Sequence, residues 1–363
     1  MSVAGSLFGL AYGDALGKPT EFRSVPEIIA TYGPHGPRDL ARPIALVTDD
    51  TQMALAVADG LAAALDTGLP LSAATLERPV RGRFLWWWQS PNNNRAPGRT
   101  CMDACAAMAG GATWLEASII GSKGCGANMR VTPIALPPGL DDDTRAGAAQ
   151  LQAALTHGHP TALAASELTM FAVRWVLDGA ALADVPVLLR ERARSQREIY
   201  REEWLGSLWE RSHDPSATEF IARGWDDCLG VLDRLDAALA APDGDADPCL
   251  ATGAGWIAEE ALATAVHCAL LFPDDPVAAL SRAATTSGDS DSIAALTGAI
   301  IGAAHGEAGW PADWPERIEY ADELRQFSRL WSTPAGLVGR QKPGKLRRTL
   351  KYHSQSEGDP WDQ

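Results

Sequence analysis

Asp289, Asp291 and Ser292 put three oxygen-bearing side chains within four positions, directly ahead of the apolar run from Ile293 to Ala303. Oxygen ligands alone are what a hard divalent cation such as Mg²⁺ or Mn²⁺ takes. An N-cap would explain one of them, because Asp and Ser are favoured there and the helix dipole welcomes negative charge. A cap does not need three. Thr48-Asp49-Asp50-Thr51 repeats the arrangement ahead of a second apolar run. Adjacent carboxylates repel each other and, once buried, titrate upward unless a cation compensates them. Two helix N-termini remote in sequence would then converge on one binuclear site. Two separate solvated caps are the competing explanation.

Other stretches carry weaker signals. Pro19 ends an opening helix and leaves Glu21 in a turn, where its side chain either faces a cleft or is plain solvated surface. Gly121, Gly124 and Gly126 sit among small residues and would expose backbone N–H groups to phosphate oxygens, although such turns are common. His157, between Thr156 and Gly158, reads as a satisfied, partly buried histidine with no cysteine partner to suggest zinc. Trp86, Trp87 and Trp88 are consecutive and cannot share one helix face. Some belong in the core and one at a rim.

Positioning these groups falls to helices. Ala-rich runs of 3.6-residue period dominate and β-branched alternation is nearly absent, so an all-α fold is expected. Helices are predicted over 3–17, 49–66, 76–90, 100–110 (capped by Thr100), 141–155, 161–178, 218–240 and 253–271. The small residues of the first allow close helix approach. Residues 22–47 read as loop, with Pro26, Pro34, Pro37 and Pro43. Residues 183–212 read as helix-rich with a solvated charged face that includes Arg190, Arg192, Arg194, Glu202 and Glu203. Residues 242–248 read as a mobile acidic loop. With no internal repeat and no linker, one domain is expected over 1–338, a further helical region at 180–250 within it, and a basic, polar tail over 339–363.

The 363 residues allow a large core. A net charge of -15 argues against sequence-independent binding of a nucleic-acid backbone, while leaving a nucleotide-like small substrate open. The six cysteines form no C-x-x-C pair, which favours a reducing, cytoplasmic setting. The opening apolar stretch lacks a basic n-region and meets Asp14 early, so it is a better first helix than a signal peptide. No segment is long and apolar enough to span a bilayer.

Taken in order, several motifs resemble the ADP-ribosylglycohydrolase family, which includes dinitrogenase reductase-activating, ADP-ribosylarginine and ADP-ribosylserine hydrolases. They are Gly13-Asp14-Ala15-Leu16-Gly17 with Glu21, Thr48-Asp49-Asp50-Thr51, Gly124-Cys125-Gly126-Ala127-Asn128-Met129-Arg130, Thr156-His157, Gly255-Trp256-Ile257-Ala258-Glu259 and Gly288-Asp289-Ser290-Asp291-Ser292. Each is short; their shared order is specific.

The resemblance implies a compact orthogonal helical bundle with two Mg²⁺ or Mn²⁺ ions in a central cleft. Thr48, Asp49, Asp50, Asp289, Asp291 and Ser292 match the metal-ligand positions, Ser292 standing where the family usually has Thr. Glu21 matches the glutamate implicated in catalysis and substrate gating, with Asp49 and Asp50 as rival proton carriers. Ser122, Gly124, Cys125 and Gly126 match the loop that holds the diphosphate and distal ribose. Met129 and His157 fall at substrate-site positions, and Trp256 stands where the family often has another aromatic. The implied reaction is hydrolysis of the N- or O-glycosidic bond of an ADP-ribosylated acceptor, releasing ADP-ribose through an oxocarbenium-like transition state. A monomer is expected. The alternatives are a phosphoester hydrolase, for which extra histidine ligands are missing, and a catalytically silent binding, regulatory or immunity protein of the same fold.

Overall fold

The computed structural model describes residues 2–332; the tail expected from Gly339 lies outside the described residues. Among the described residues the fold is all-α, with seventeen α-helices and only isolated β-bridges. One buried apolar cluster runs from Ala4 to Trp331.

Two antiparallel helices, Val3–Gly17 and Ser290–His305, form its axis and make the most extensive helix pair. Their contact is built from glycine. Gly5, Gly9, Gly13 and Gly17 recur every fourth residue and therefore line one face. A methyl built on Gly5 would overlap the Gly302 carbonyl, one on Gly9 the Gly298 carbonyl, and one on Gly13 the Ala294 carbonyl. At Gly17 it would overlap the backbone of Asp291. Backbones this close bring the C-terminus of the first helix against the N-terminus of the second. Glu21 and Asp291 meet for that reason.

The remaining helices enclose this pair. Asp49–Asp66 packs against Ala73–Gln89, and Pro160–Asp178 is sandwiched between Asp142–Ala154 and Ala217–Ala240. Of the three tryptophans, Trp87 is buried and donates its indole N–H to Gln52 Oε1 at 3.1 Å, whereas Trp86 and Trp88 are half-buried.

Several sequence expectations need correction. Residues 22–47 are not all loop: Val25–Tyr32 is a helix with Pro26 in its first turn. Ser24 and Glu27 form its capping box, Glu27 Oε2 accepting from Ser24 N–H at 2.8 Å. Proline is tolerated in a first turn because the N–H it lacks has no intrahelical partner there. Thr100 is no cap, since the Arg99–Ala109 helix begins one residue earlier, after Gly98. The helix expected from 253 starts at Ala258 because Gly253 and Gly255 hold positive φ (118° and 79°). The charged 183–212 stretch is only partly a solvated face. Arg192 and Arg201 turn inward to Glu167, which is fully buried, and Arg192 also lies 3.5 Å above the Phe171 ring. The 242–248 loop is anchored through Asp247, which accepts from Thr286 Oγ1 (2.7 Å) and Ser287 N–H (3.2 Å). Helix Ala321–Ser332 was not anticipated.

Candidate metal centre and glycine loop

The Asp49–Asp66 helix begins immediately after Thr48, whose hydroxyl accepts from Asp50 N–H at 3.4 Å. Asp49 and Asp50 therefore occupy its first turn, where the helix dipole favours negative charge. The Ser290–His305 helix likewise begins after Asp289, placing Asp291 and Ser292 in its first turn. All of these side chains are buried or nearly so. Carboxylate oxygens of Glu21, Asp289 and Asp291 lie within 4.8 Å of one another. Asp49 Oδ2 accepts from Gly98 N–H at 3.1 Å, and Asp291 Oδ1 from Ser292 N–H at 2.9 Å. The two expected acidic clusters lie near enough for the charge of Asp291 to act on both Asp49 and Asp50.

Burial first, then the charge of Asp291, raises Asp50 and Asp289 well above the usual carboxylate range. Asp49 is pushed up to about 7, by burial and then by Asp291 despite the Gly98 hydrogen bond. Glu21 is pushed up to about 10 by burial and the charges of Asp291, Asp289 and Asp49. The charges that bear most on this group are one another's. Asp50 Oδ1 is buried with no hydrogen-bond partner. Such a set is costly in a low-dielectric interior unless positive charge enters it. The donors are all oxygen, so they fit a hard divalent cation.

Asp14 was quoted in the sequence motif without a role. Fully buried on the opening helix, it accepts four donors: Thr48 N–H (2.9 and 3.0 Å to its two oxygens), Thr48 Oγ1 (2.8 Å), Thr51 N–H (3.0 Å) and Thr51 Oγ1 (2.5 Å). It thereby caps the helix that carries Asp49 and Asp50. A local signal was present, since Asp14 is the one ionisable carboxylate in an otherwise small and apolar helix.

The Glu21 turn is tied down as well. Glu21 N–H bonds the Gly17 carbonyl at 3.0 Å, and the Thr20 hydroxyl reaches the Gly17 carbonyl (2.7 Å) and Ser290 Oγ (3.1 Å). Phe22 follows with φ 62° and stacks on Trp256, ring centroids 5.7 Å apart. Both rings are exposed (71% and 43%). Trp256 is therefore a surface aromatic on the Glu21 side of the site rather than core packing.

The glycine loop meets the same centre through Cys125. Its thiol lies 2.8 Å from Asp289 Oδ2 and 3.2 Å from Ser292 Oγ. A short antiparallel bridge, Gly124 to Ile257, fixes the loop, with Cys125 N–H donating to the Trp256 carbonyl at 3.1 Å. That amide and Ser122 N–H, which bonds the Ile119 carbonyl at 3.0 Å, are already taken up by the protein. Ser122 Oγ pairs with Thr100 Oγ1 at 2.8 Å. His157 lies buried beneath the loop; a methyl on Gly124 or Gly126 would crowd its ring. Its Nδ1 is 2.7 Å from Thr156 Oγ1, and burial, with Arg130 nearby, keeps the imidazole neutral. Met129 is buried in the main core.

Residues 2–340 match the family model described as ADP-ribosylglycohydrolase. The chain belongs to the ADP-ribosylglycohydrolase family. Within reach of this family it is 33% identical over 171 residues to ADP-ribosyl-[dinitrogen reductase] glycohydrolase of Rhodospirillum rubrum, covering 44% of this chain and 53% of that protein. It is 29% identical over 159 residues to an uncharacterized protein of Archaeoglobus fulgidus, covering 42% and 48% respectively. The chain thus spans about half the length of these two relatives. An uncharacterized Escherichia coli protein, YegU, is 26% identical over 311 residues, covering 82% of this chain and 86% of its own. A solved structure described as an ADP-ribosylglycohydrolase-related protein complex shares the fold, with a TM-score of 0.60 at 23% identity over 90% of this chain and 95% of that one.

Proposed function

We propose that this protein is a metal-dependent hydrolase that cleaves the glycosidic bond between ADP-ribose and an acceptor. The observation that carries the reading is the clustering of Glu21, Asp289 and Asp291, with buried Asp49 and Asp50 close enough to feel the charge of Asp291 and one Asp50 oxygen orphaned. Thr48, Asp49, Asp50, Asp289, Asp291 and Ser292 would hold two Mg²⁺ or Mn²⁺ ions. Bound there, the cations would orient the ribose hydroxyls and acidify a water.

Glu21 would carry the proton. It is half-buried at the edge of the cluster, its carboxylate beside those of Asp289 and Asp291, a place that suits a group taking a proton from the attacking water and returning it to the leaving acceptor. Asp49 and Asp50 are buried more deeply, which suits ligation over proton exchange. Ser122, Gly124, Cys125 and Gly126 would receive the diphosphate and distal ribose, through the loop atoms not already taken up by the protein. His157 supports that loop from below, and Met129 supports it from the core. Trp256 and Phe22 offer flat surfaces at the mouth. Because the acidic ligand positions and Glu21 are all filled, an active enzyme fits better than a silent binding or immunity protein of this fold. Six free, buried cysteines fit a reducing cytoplasmic setting. Among the described residues no helix is long and apolar enough to cross a membrane.

The test is ADP-ribose release from a panel of arginine-, serine- and nucleic-acid-linked substrates with and without Mg²⁺. Release from at least one substrate is expected, lost with chelator and in Asp291→Ala. Full turnover by Asp291→Ala would refute the metal role.

A further inference from the structure

Lys123 lies in the middle of the glycine loop, where a cation would be taken for a phosphate ligand. Its contacts say otherwise. The ammonium is 2.5 Å from Glu259 Oε1 and 3.1 Å from Asp227 Oδ2. Asp227 Oδ2 also accepts from Thr161 Oγ1 at 2.7 Å. Glu259 stands in the first turn of the Ala258–Leu271 helix, its side chain only 5% exposed and its Oε2 without a partner. Asp227 belongs to the Ala217–Ala240 helix and Thr161 to Pro160–Asp178. The loop backbone runs alongside, with Ala258 N–H donating to the Lys123 carbonyl at 2.9 Å.

One positive charge faces two carboxylates, so the loop cation is already overmatched by the protein. Swinging Lys123 toward a phosphate would strand Glu259 as a buried, unpaired charge, which is strongly unfavourable. We propose that Lys123 is a positioning residue that fastens the glycine loop to three helices, and that the Ala217–Ala240 helix acts on the site through Asp227. This rests on the reading that the loop holds the diphosphate of ADP-ribose. It also gives the 180–250 region a task in the reaction, beyond enlarging the core.

Two measurements on the full chain at fixed Mg²⁺ test it: hydrogen exchange of residues 121–126 without ligand, and calorimetric binding of ADP-ribose. Asp227 is partly exposed, so Asp227→Asn should fold normally. It is expected to speed exchange across the loop and to weaken ADP-ribose binding about threefold to tenfold. Lys123→Met should weaken binding by about tenfold or more, with the double variant no weaker than Lys123→Met alone. Lys123→Arg should restore binding to within about threefold, and none of these variants should alter Mg²⁺ affinity measured without ADP-ribose. Unchanged loop exchange in Asp227→Asn, or tighter ADP-ribose binding as a freed phosphate-binding lysine would give, overturns the proposal. If the unmodified protein binds no ADP-ribose, the functional reading fails, while loop exchange still decides whether Lys123 is the anchor.

Discussion

At the scale of single residues, Glu21 and Asp14 separate two jobs that the same carboxylate chemistry can do. Glu21 sits at the edge of the cluster with its proton held up to about 10 by burial and then Asp291, Asp289 and Asp49. Replacing it by Gln keeps the shape and removes the exchangeable proton. Glu21→Gln should lower kcat by about 10²- to 10³-fold while leaving the melting temperature near that of the unmodified protein, as single-turnover and thermal-shift measurements would show. Asp14 lies one layer back and holds the Thr48–Thr51 turn through four donors. Asp14→Ala would leave those buried donors unsatisfied, at a cost of about 1–3 kcal/mol each before relaxation. A large loss of stability in urea melts, together with weaker Mg²⁺ binding, is the expected outcome. Asp14 escaped assignment in the sequence because its partners lie 34 and 37 positions away. Its isolation in an apolar helix marks it as a buried acid, but does not say which turn it holds.

At the scale of elements, the glycine spacing of the first helix decides where the acids meet. Gly13→Val should place a branched side chain against the Ala294 carbonyl and push the two axial helices apart. Overpacking of this kind typically costs about 1–3 kcal/mol, and more when the obstacle is backbone. Chemical denaturation should show that loss, and Mg²⁺ affinity should fall with it because Asp291 rides on the displaced helix. Helix starts beside the site were legible: Thr48 before Asp49-Asp50 and Asp289 before Asp291-Ser292 are residue types favoured at caps and are followed by apolar runs, although only Thr48 makes the side-chain capping bond. The Val25–Tyr32 helix was hidden by Pro26, whose first-turn position is compatible with a helix that the surrounding prolines seemed to forbid. The late start of Ala258–Leu271 depends on positive φ at Gly253 and Gly255, a backbone property that glycine permits without announcing. The inward turn of Arg192 and Arg201 depends on Glu167, a partner on another helix that no local pattern reveals.

At the scale of the whole molecule, the cluster couples stability to pH and, on the proposed metal role, to cations. Asp14 and Asp49 rise to about 7 and Glu21 to about 10, from ordinary values near 4. Between those limits the folded chain binds more protons than the unfolded one. Stability of the cation-free protein is therefore fullest below about pH 4 for these groups and falls as pH rises through 7 toward 10. In chelator, the melting temperature should drop from pH 5 to pH 9, and added Mg²⁺ should raise it most at the alkaline end. A flat profile in both conditions would mean that the acids are solvated after all. The net charge of -15 adds general repulsion to this local term, so the comparison is best made at constant ionic strength.

Everything rests on paired cations entering the space between Asp50 and Asp291. The most direct measurement is a Mn²⁺ titration of the full chain followed by electron paramagnetic resonance at neutral pH. Two Mn²⁺ bound per chain with a spin-coupled signal, lost in Asp50→Ala and in Asp291→Ala variants that stay folded, is the predicted result. A free-Mn²⁺ signal undiminished by the protein, or binding that survives both substitutions, would contradict it.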